Sequence, residues 1–433
     1  MNKYTRWFPA FLMTTLAACG GGGGPTDTGT TDAASDIVTD QSTTETGNEA
    51  GADAPLEAAV DAVDTTPDAG CTFQHVIVTV SDYAAFGGYV VGDLATRTMS
   101  YVPMADAGSG IDQDHVVRSS PFMCQAYDLW RSSPGKIQWL DSANLPSPTQ
   151  TLNVADVPTG ADGGLVAANP WDIAVISPVT AYVAQYNSPR LLTVNPTAGT
   201  SSGTIDLSPF ADADGIPEAA SIALRTGRAY VAVQQLDRPG GYVAPANSHV
   251  AVIDTATQAL VDVNTATTAI DGIALSAGNP GGWMPVTPDG KYMLVVSTGN
   301  WGVVDGAVDV VDLMSNTVLR SITPAMLGGE PGAVELVSGN IAWVTVDATG
   351  TDGGVEHRIV SFDLSTGIVR TPALVVSTTH AFGALRRAPD GTMWAIGSDY
   401  NAGSIHVFDA TTAASLLTFT TGSLNTTSID FQR

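Results

Sequence analysis

The segment Asp212-Ala-Asp214-Gly-Ile-Pro-Glu218 brings three carboxylates together around a glycine. Carboxylate oxygens on a loop of this kind are ligands that Ca²⁺ prefers. The spacing matches only the start of an EF-hand calcium loop, because the later ligand positions are missing. Two interpretations stand: a calcium site formed by Asp212, Asp214 and Glu218, or an acidic surface loop.

A second group of candidates mixes acidic and aromatic residues at equivalent places in similar segments. Four of these segments align on Pro170, Pro217, Pro280 and Pro331. The alignment predicts one residue of each segment at the mouth of a central channel, and these are Asp114, Trp171, Glu218, Gly281, Gly332 and Phe382. His115, Asp172 and Gly383 follow one step deeper. Such a mixture suits a cation, a sugar or a peptide side chain, or it fills space without binding anything.

The histidines give no catalytic pattern of their own. None of His75, His115, His249, His357, His380 and His406 forms an H-x-x-x-H pair, which disfavours zinc or copper. A site shared by His115 and His380 stays a minor alternative. Because no nucleophile elbow, a strand–turn–helix with an exposed serine, supports Ser/His/Asp catalysis either, no catalytic residue is assigned.

One repeated segment must position all these residues, and His249–Thr257 is its clearest copy. Alternating apolar residues predict a strand with a buried face. Each copy closes with Asp or Asn, at Asp93, Asp141, Asn195, Asp254, Asp312, Asp363 and Asp409. The intervals are 46 to 59 residues, which indicates stacked supersecondary units. Because this residue recurs in every unit, we interpret it as a turn cap rather than as a metal ligand or catalyst.

Each unit divides into four strands, A to D, and strand A of the fifth unit is predicted at Gly282–Thr287. The first unit begins with strand B at Phe73–Val80, whereas the chain ends in a strand A at Thr427–Phe431. Joining these ends completes one blade. The sequence therefore predicts an all-β, seven-bladed β-propeller whose first blade is closed by the C-terminal strand. The long B–C and D–A connections share one face, where we expect binding.

The pattern of residues at the N-terminus indicates that the protein is exported. Met1–Ala18 has a basic start and an apolar stretch typical of a signal peptide. Leu16-Ala-Ala-Cys19 resembles a bacterial lipobox, in which Cys19 becomes multiply acylated and anchored to a membrane. An ordinary signal peptide with an incidental cysteine is the alternative. Gly20 follows the cysteine, which by resemblance to enterobacterial sorting favours the outer membrane, with the protein facing the periplasm or the cell surface.

Charge separates a linker from the folded body. Residues 19–70 are predicted to form a disordered linker, because Pro25–Gly70 has eleven acidic residues and no Lys, Arg or aromatic residue. The propeller is assigned to residues 71–433, which carry 32 acidic and 15 basic residues. This balance disfavours nucleic acid and an anionic membrane surface as partners.

Cys71 and Cys124 are expected to pair in an oxidising compartment, with two unpaired buried thiols as the alternative.

Several segments carry a family resemblance. Asn169–Pro178, Ala181–Asn187, His249–Thr257 and Val286–Gly290 resemble the YncE-like, YVTN-repeat β-propeller proteins, many of which are exported lipoproteins. The resemblance implies a fold but no catalytic residues. We expect a monomeric binding module for a protein, glycan or small molecule, without a cofactor unless calcium binds. The alternatives are a metal-assisted, lactonase-like hydrolase and a purely structural surface protein.

Overall fold

The computed structural model describes residues 74–82, 86–104, 114–120, 123–132, 135–158, 164–351, 353–399 and 402–432. This part of the chain is almost entirely β-strand. Its strands form seven antiparallel sheets that succeed one another as the blades of a β-propeller, together with one separate two-stranded hairpin. The predicted signal peptide and linker lie outside the described residues, so these domain boundaries stay predictions.

The strands follow one another in blade order. Blade 1 contains β1 (His75–Ser81), β2 (Gly87–Asp93) and β3 (Met99–Pro103). Blade 2 contains β4 (His115–Ser119), β5 (Ala126–Trp130), β6 (Lys136–Leu140) and β7 (Gln150–Asn153), and the hairpin β8 (Val157–Pro158) and β9 (Leu165–Val166) follows. Blade 3 contains β10 (Pro170–Ser177), β11 (Thr180–Gln185), β12 (Arg190–Asn195) and β13 (Thr200–Asp206). Blade 4 contains β14 (Ala219–Arg225), β15 (Arg228–Val233), β16 (His249–Asp254), β17 (Ala259–Val261) and β18 (Ile273–Ala274).

The remaining blades repeat the same order. Blade 5 contains β19 (Pro280–Gly281), β20 (Tyr292–Ser297), β21 (Ala307–Asp312) and β22 (Thr317–Ile322). Blade 6 follows the single-turn helix α1 (Pro324–Leu327) and contains β23 (Glu330–Leu336), β24 (Ile341–Thr349), β25 (Val355–Asp363) and β26 (Val369–Ser377). Blade 7 contains β27 (Ala381–Arg387), β28 (Met393–Asp399), β29 (Ala402–Phe408) and β30 (Ser415–Thr420), and β31 (Asn425–Gln432) ends the described chain.

The C-terminal strand closes the ring, as the sequence predicted. β31 pairs antiparallel with β1, from His75 opposite Gln432 to Ser81 opposite Asn425. Blade 1 therefore has the strand order β3-β2-β1-β31 and contains both ends of the described chain. A ring closed by such pairing leaves no unpaired inner strand.

The residues that end the third strand of each blade cap turns, as expected. The Asp254 carboxylate accepts hydrogen bonds from the backbone N–H of Ala256 and of Thr257, at 3.0 and 2.9 Å. Asp409 repeats this arrangement with Thr411 and Thr412 in blade 7. These side chains are engaged by their own turns, which leaves them no catalytic role.

The hydrophobic core is divided among the blade interfaces. Seven buried clusters occur, one between each pair of neighbouring blades around the ring. Successive side chains of a strand point to opposite faces of its sheet. Val183 of β11 accordingly packs against blade 2, whereas Tyr182 packs against blade 4.

The inner strand of blade 5 differs from its prediction. β19 covers only Pro280–Gly281, instead of the strand expected at Gly282–Thr287. Gly282 has a φ of 72°, which is outside the extended region and ends the strand there. Val286 makes only an isolated bridge to Met293.

The two faces of the propeller carry different connections. The B–C and D–A connections meet at one face, which we call the loop face. The A–B and C–D turns meet at the opposite face, the turn face. In the described residues, no helix is long and apolar enough to cross a membrane.

Candidate functional site

Three of the predicted residues belong to one line of side chains across blades 2, 3 and 4 at the loop face. We call this line the mouth ladder, and it consists of Asp114, Arg131, Trp171, Tyr186, Arg238 and Glu218. Asp114 precedes β4, Arg131 follows β5, and Trp171 is the second residue of β10. Tyr186 follows β11, whereas Glu218 and Arg238 belong to the connections on either side of β14 and β15.

Stacking connects the centre of the mouth ladder. The rings of Trp171 and Tyr186 are stacked, with centroids 4.7 Å apart and an interplanar angle of 25°. The Arg131 guanidinium lies 3.9 Å from the centroid of the Trp171 ring, and Arg238 lies 5.3 Å from that of Tyr186. Because Trp171 contacts both a ring and a guanidinium, it offers no open platform for a sugar in this conformation.

Carboxylates terminate the mouth ladder at both ends. Asp114 forms an ion pair with Arg131. Arg238 Nε donates to Glu218 Oε1 at 2.6 Å, and its Nη2 donates to the Tyr186 carbonyl oxygen at 2.9 Å. Each predicted acid therefore has a basic partner already, which the sequence analysis did not anticipate.

Glu218 is held in an unusual position. It has a φ of 48° and is completely buried, and such a conformation costs free energy in a residue other than glycine. Its second carboxylate oxygen accepts the Leu236 N–H at 3.0 Å. Burial raises the pKa of Glu218 to about 8, although Arg238 and the Leu236 N–H act in the opposite direction. A buried side chain of this kind fastens a loop and does not reach a bound molecule.

The calcium hypothesis for Asp212, Asp214 and Glu218 gains no support from the geometry. Asp212 accepts the N–H of Asp214 at 3.0 Å, and Asp214 accepts the N–H of Ile216 at 2.8 Å. Arg238 lies 3.6 Å from Asp214 and contacts Glu218, and so occupies the place of a cation. Within the described ranges, no group of three or more His, Cys, Asp or Glu side chains could hold a metal ion.

Asp172 belongs to a second set of charges, deeper in the molecule. We call this set the inner ring, and it consists of Arg118, Asp172, Glu335, Arg386 and Asp430 on the inner strands. Asp172 accepts the Ile222 N–H of the next blade at 2.8 Å and Arg118 Nε at 2.6 Å. Asp430 accepts the Ser119 N–H of the next blade at 2.9 Å. These carboxylates join neighbouring blades.

Glu335 and Arg386 complete the inner ring on its other side. Burial raises the pKa of Glu335 to about 7, whereas Arg386 and the N–H groups of Leu336 and Arg387 lower it. Burial also lowers the pKa of Arg386 to about 10, against the effect of Asp430. Arg386 Nε donates to a carbonyl oxygen of blade 1, and its guanidinium lies 3.6 Å from the Trp283 ring centroid of blade 5.

His115 and Phe382 do not lie at the channel mouth where the alignment on prolines placed them. His115 is completely buried beside Asp128, with Nδ1 2.9 Å from its carboxylate. Tyr89 and Trp130 donate to the other oxygen of Asp128. Phe382 packs between blades 6 and 7. Its strand has a register shift between Phe382 and Ala384, and β10 has the same shift between Pro170 and Asp172, so Phe382 is equivalent to the buried Pro170 and not to Trp171.

The remaining predicted pairs are separated or untested. His380 lies beside His406 in blade 7, with ring centroids 6.1 Å apart, whereas His115 lies between blades 1 and 2. Cys19 and Cys71 lie outside the described residues. The lipid anchor and the pairing of Cys71 with Cys124 therefore stay predictions.

An exposed apolar surface lies on the loop face of blades 4 and 5. We call it the loop patch, and it consists of Tyr242, Val243, Trp301, Val303 and Val304. Both contributing segments are B–C connections, and Asn300 joins them by accepting the Ala244 N–H at 2.9 Å. The sequence analysis identified these loops as long but did not single out their apolar residues.

Comparison with known proteins gives the fold. No family model and no curated protein matches the chain. A structure from Bacteroides uniformis, provisionally named as a 6-phosphogluconolactonase, is 12% identical with a TM-score of 0.54, over 83% of this chain and 99% of its own. A quinoprotein alcohol dehydrogenase-like protein from Bacteroides thetaiotaomicron is 11% identical with a TM-score of 0.51, over 83% of this chain and 78% of its own. Such low identity shows the fold alone, and the chain is a β-propeller protein.

Proposed function

We propose that the protein is an exported, lipid-anchored β-propeller of the YncE-like, YVTN-repeat kind, which binds a partner protein through its loop face. The loop patch carries this proposal. Trp301 and Val304 are each 64% exposed, and both belong to one short connection. Contiguous exposed apolar surface is uncommon on soluble monomers and marks interaction sites.

The loop patch is held in one conformation by its own hydrogen bonds. Asn300 donates through its backbone N–H and its Nδ2 to the two carboxylate oxygens of Asp305, each at 2.9 Å. The same side chain accepts the Ala244 N–H from the neighbouring blade. A preorganised surface loses less conformational entropy on binding than a mobile loop does.

The charge around the loop patch favours a basic partner. Asp237 and Asp305 belong to the same two connections, in which the one arginine, Arg238, is paired with Glu218, and the whole chain has a formal net charge of −26. Complementary charge accelerates association and excludes like-charged partners. We therefore expect an apolar contact surface on the partner, surrounded by lysine or arginine.

The hydrolase alternative has less support. A lactonase-like site would need Asp114, Asp172 and Glu218 to converge on one substrate. Each of them instead contacts a different arginine, and Glu218 and Asp172 are buried. The name of the Bacteroides uniformis structure supports this alternative only through a shared fold.

Site-specific photocrosslinking in the cells that produce the protein tests the proposal. A benzoyl-phenylalanine in place of Trp301 should give a covalent adduct of defined mass. The matched control replaces Met314, which is 68% exposed in the same blade but at the turn face, and it should give none. Equal labelling at both positions, or no adduct at Trp301, would contradict the proposal.

The anchor is tested separately. Cys19→Ala should move the protein from the outer-membrane fraction to the soluble fraction, because acylation needs the thiol. Cys124→Ala serves as a control that leaves the anchor unchanged. Firm membrane association of the Cys19 variant would show that lipid on Cys19 is not what holds the protein.

A further inference from the structure

Blade 4 differs from the other blades in its outer strand. In each other blade this strand is continuous over four to nine residues. In blade 4, β17 pairs only with Val252–Asp254, and β18 pairs with the beginning of the same strand, at His249 and Val250. Residues 262–272 leave the sheet between the two pieces, and we call them the excursion.

The excursion has a defined conformation. Asp262 accepts the N–H groups of Asn264 and Asp271, at 3.0 and 3.1 Å. The Thr267 hydroxyl donates to Asp271 Oδ2 at 2.6 Å. At Gly272 a Cβ atom would lie 2.7 Å from the carbonyl oxygen of Val250, so only glycine lets the chain return this closely. The excursion is therefore a built element rather than a loose loop.

A shallow cavity of about 390 Å³, open to solvent along one side, lies between the excursion, β16 and the start of β22. We call it the side cavity. Its polar lining residues are His249, Asn264, Thr267, Asp271, Asn316 and Thr317. Val263, Ile273 and Val318 give it apolar walls. The volume is at the lower end of the range typical of small-molecule sites.

His249 contributes a hydrogen-bond acceptor to the side cavity. Gln235 Nε2 donates to the Phe210 carbonyl oxygen at 2.9 Å, which fixes the orientation of this amide. The Gln235 oxygen is then the atom 2.8 Å from His249 Nδ1, so Nδ1 carries the hydrogen. Burial lowers the pKa of His249, which favours the neutral ring. Its Nε2 is thus an acceptor, and it makes no hydrogen bond to any described residue.

Two amide groups add donors. Asn264 Oδ1 accepts the Ala266 N–H at 3.4 Å, and Asn316 Oδ1 accepts the Tyr230 hydroxyl at 3.5 Å. Among the described residues, neither Nδ2 group has a hydrogen-bond partner. No lysine or arginine lines the side cavity, and its one carboxylate, Asp271, already accepts from Thr267. The lining therefore suits a neutral ligand with several hydroxyl groups better than an ion.

We propose that the side cavity binds a saccharide of about one or two rings. Sugar hydroxyls both donate and accept, which matches an imidazole acceptor beside two amide donors. The C–H faces of a sugar ring match the three apolar walls. This proposal is independent of the loop patch, because the side cavity lies at the outer strands of blades 4 and 5.

Saturation-transfer NMR with a panel of free glucose, galactose, N-acetylglucosamine, maltose, cellobiose, lactose and chitobiose tests the proposal. At least one sugar should receive saturation from the protein, with Kd near or below about 10 mM. His249→Phe and Asn264→Ala should each weaken that sugar's binding by at least about tenfold.

The matched control is Asn144→Ala, which removes another exposed turn asparagine, in blade 2, and should leave binding unchanged. Circular dichroism and melting of each variant establish that it folds. Saturation of no sugar in the panel would overturn the proposal. Saturation that survives both cavity variants would also overturn it, because the sugar would then bind elsewhere. Crosslinking at Trp301 is unaffected by either result, so this proposal and the proposed function fail separately.

Discussion

The interior of the ring and the outer side of blades 4 and 5 use their polar residues in opposite ways. In the interior, Asp114, Asp172 and Glu218 each contact an arginine. On the outer side, His249 and Asn264 line a cavity and keep hydrogen-bonding groups unused. Acidic and aromatic residues are common in binding sites, yet here the carboxylates pair with arginines and the rings of Trp171 and Tyr186 stack on each other. A side chain that already has an ion-pair or hydrogen-bond partner is less available to a ligand than one that has none.

Removing the C-terminal strand should cause the largest loss of stability, because this inner strand closes blade 1 and contacts blade 2. Truncation before Thr427 unpairs β1 and removes Ser428 and Asp430, which accept the N–H groups of Val117 and Ser119. The truncated protein should fail to fold or melt at least about 10 °C lower. Calorimetry measures this, with removal of Arg433 alone as the control. An unchanged melting temperature would show that blade 1 closes without β31.

The next test compares the stability lost with a buried ion pair and with a partly exposed one. Above pH 8, where Glu218 is ionised, Arg238→Met leaves this completely buried carboxylate without its basic partner, and should lower the free energy of unfolding by about 3 kcal/mol. Arg228→Met removes an ion pair with Asp254 that is about one-third exposed, and should cost at most about 1 kcal/mol. Urea denaturation measures both. Equal losses would show that burial does not distinguish the two pairs.

Titration of Glu335 is a further test that concerns the interior. Its folded pKa of about 7 exceeds the ordinary value of 4.5, so between these pH values the folded protein holds a proton that the unfolded chain has lost. Stability from this group is complete below pH 4.5 and declines as the pH rises towards 7. Glu335→Gln should reduce this slope, and Glu218 should supply the remainder. Denaturation at several pH values tests it, and an unaltered slope would contradict it.

The loop patch should show the smallest change in stability. Val304→Ser alters a residue that is 64% exposed, and should change the free energy of unfolding by no more than about 0.5 kcal/mol. The same substitution should reduce adduct formation at Trp301. The Val304 variant should therefore lose crosslinking while keeping its stability. The Arg238→Met variant should instead lose stability. A large loss of stability in the Val304 variant would place this residue in the core.

The sequence predicted the architecture because the architecture repeats. Seven copies of one strand and turn, together with unmatched strands at the two ends, determine the number of blades and the closure. The site was less predictable, because several inner strands contain a bulge and β19 is short, and a strict alternation of side chains accounts for neither. Asp114 and Arg131 could have been paired from strand register, since each lies one residue beyond the His115–Trp130 pair.

Other partners could not be predicted in this way. Arg238 belongs to a long connection, so no strand register relates it to Glu218. The side cavity forms where the outer strand of blade 4 is divided into β17 and β18. The pattern of apolar and polar residues over 259–274 does not predict this division. The apolar loop patch was visible as composition, but only the structure shows that its two loops are joined.

The closure of blade 1 also brings both ends of the described chain to the turn face. β1 begins at His75, opposite Gln432, so the chain enters the propeller at the turn face. If Cys19 carries a lipid, as proposed, the tether would join the propeller on the side opposite the loop patch. The point of attachment itself would then leave the loop face uncovered.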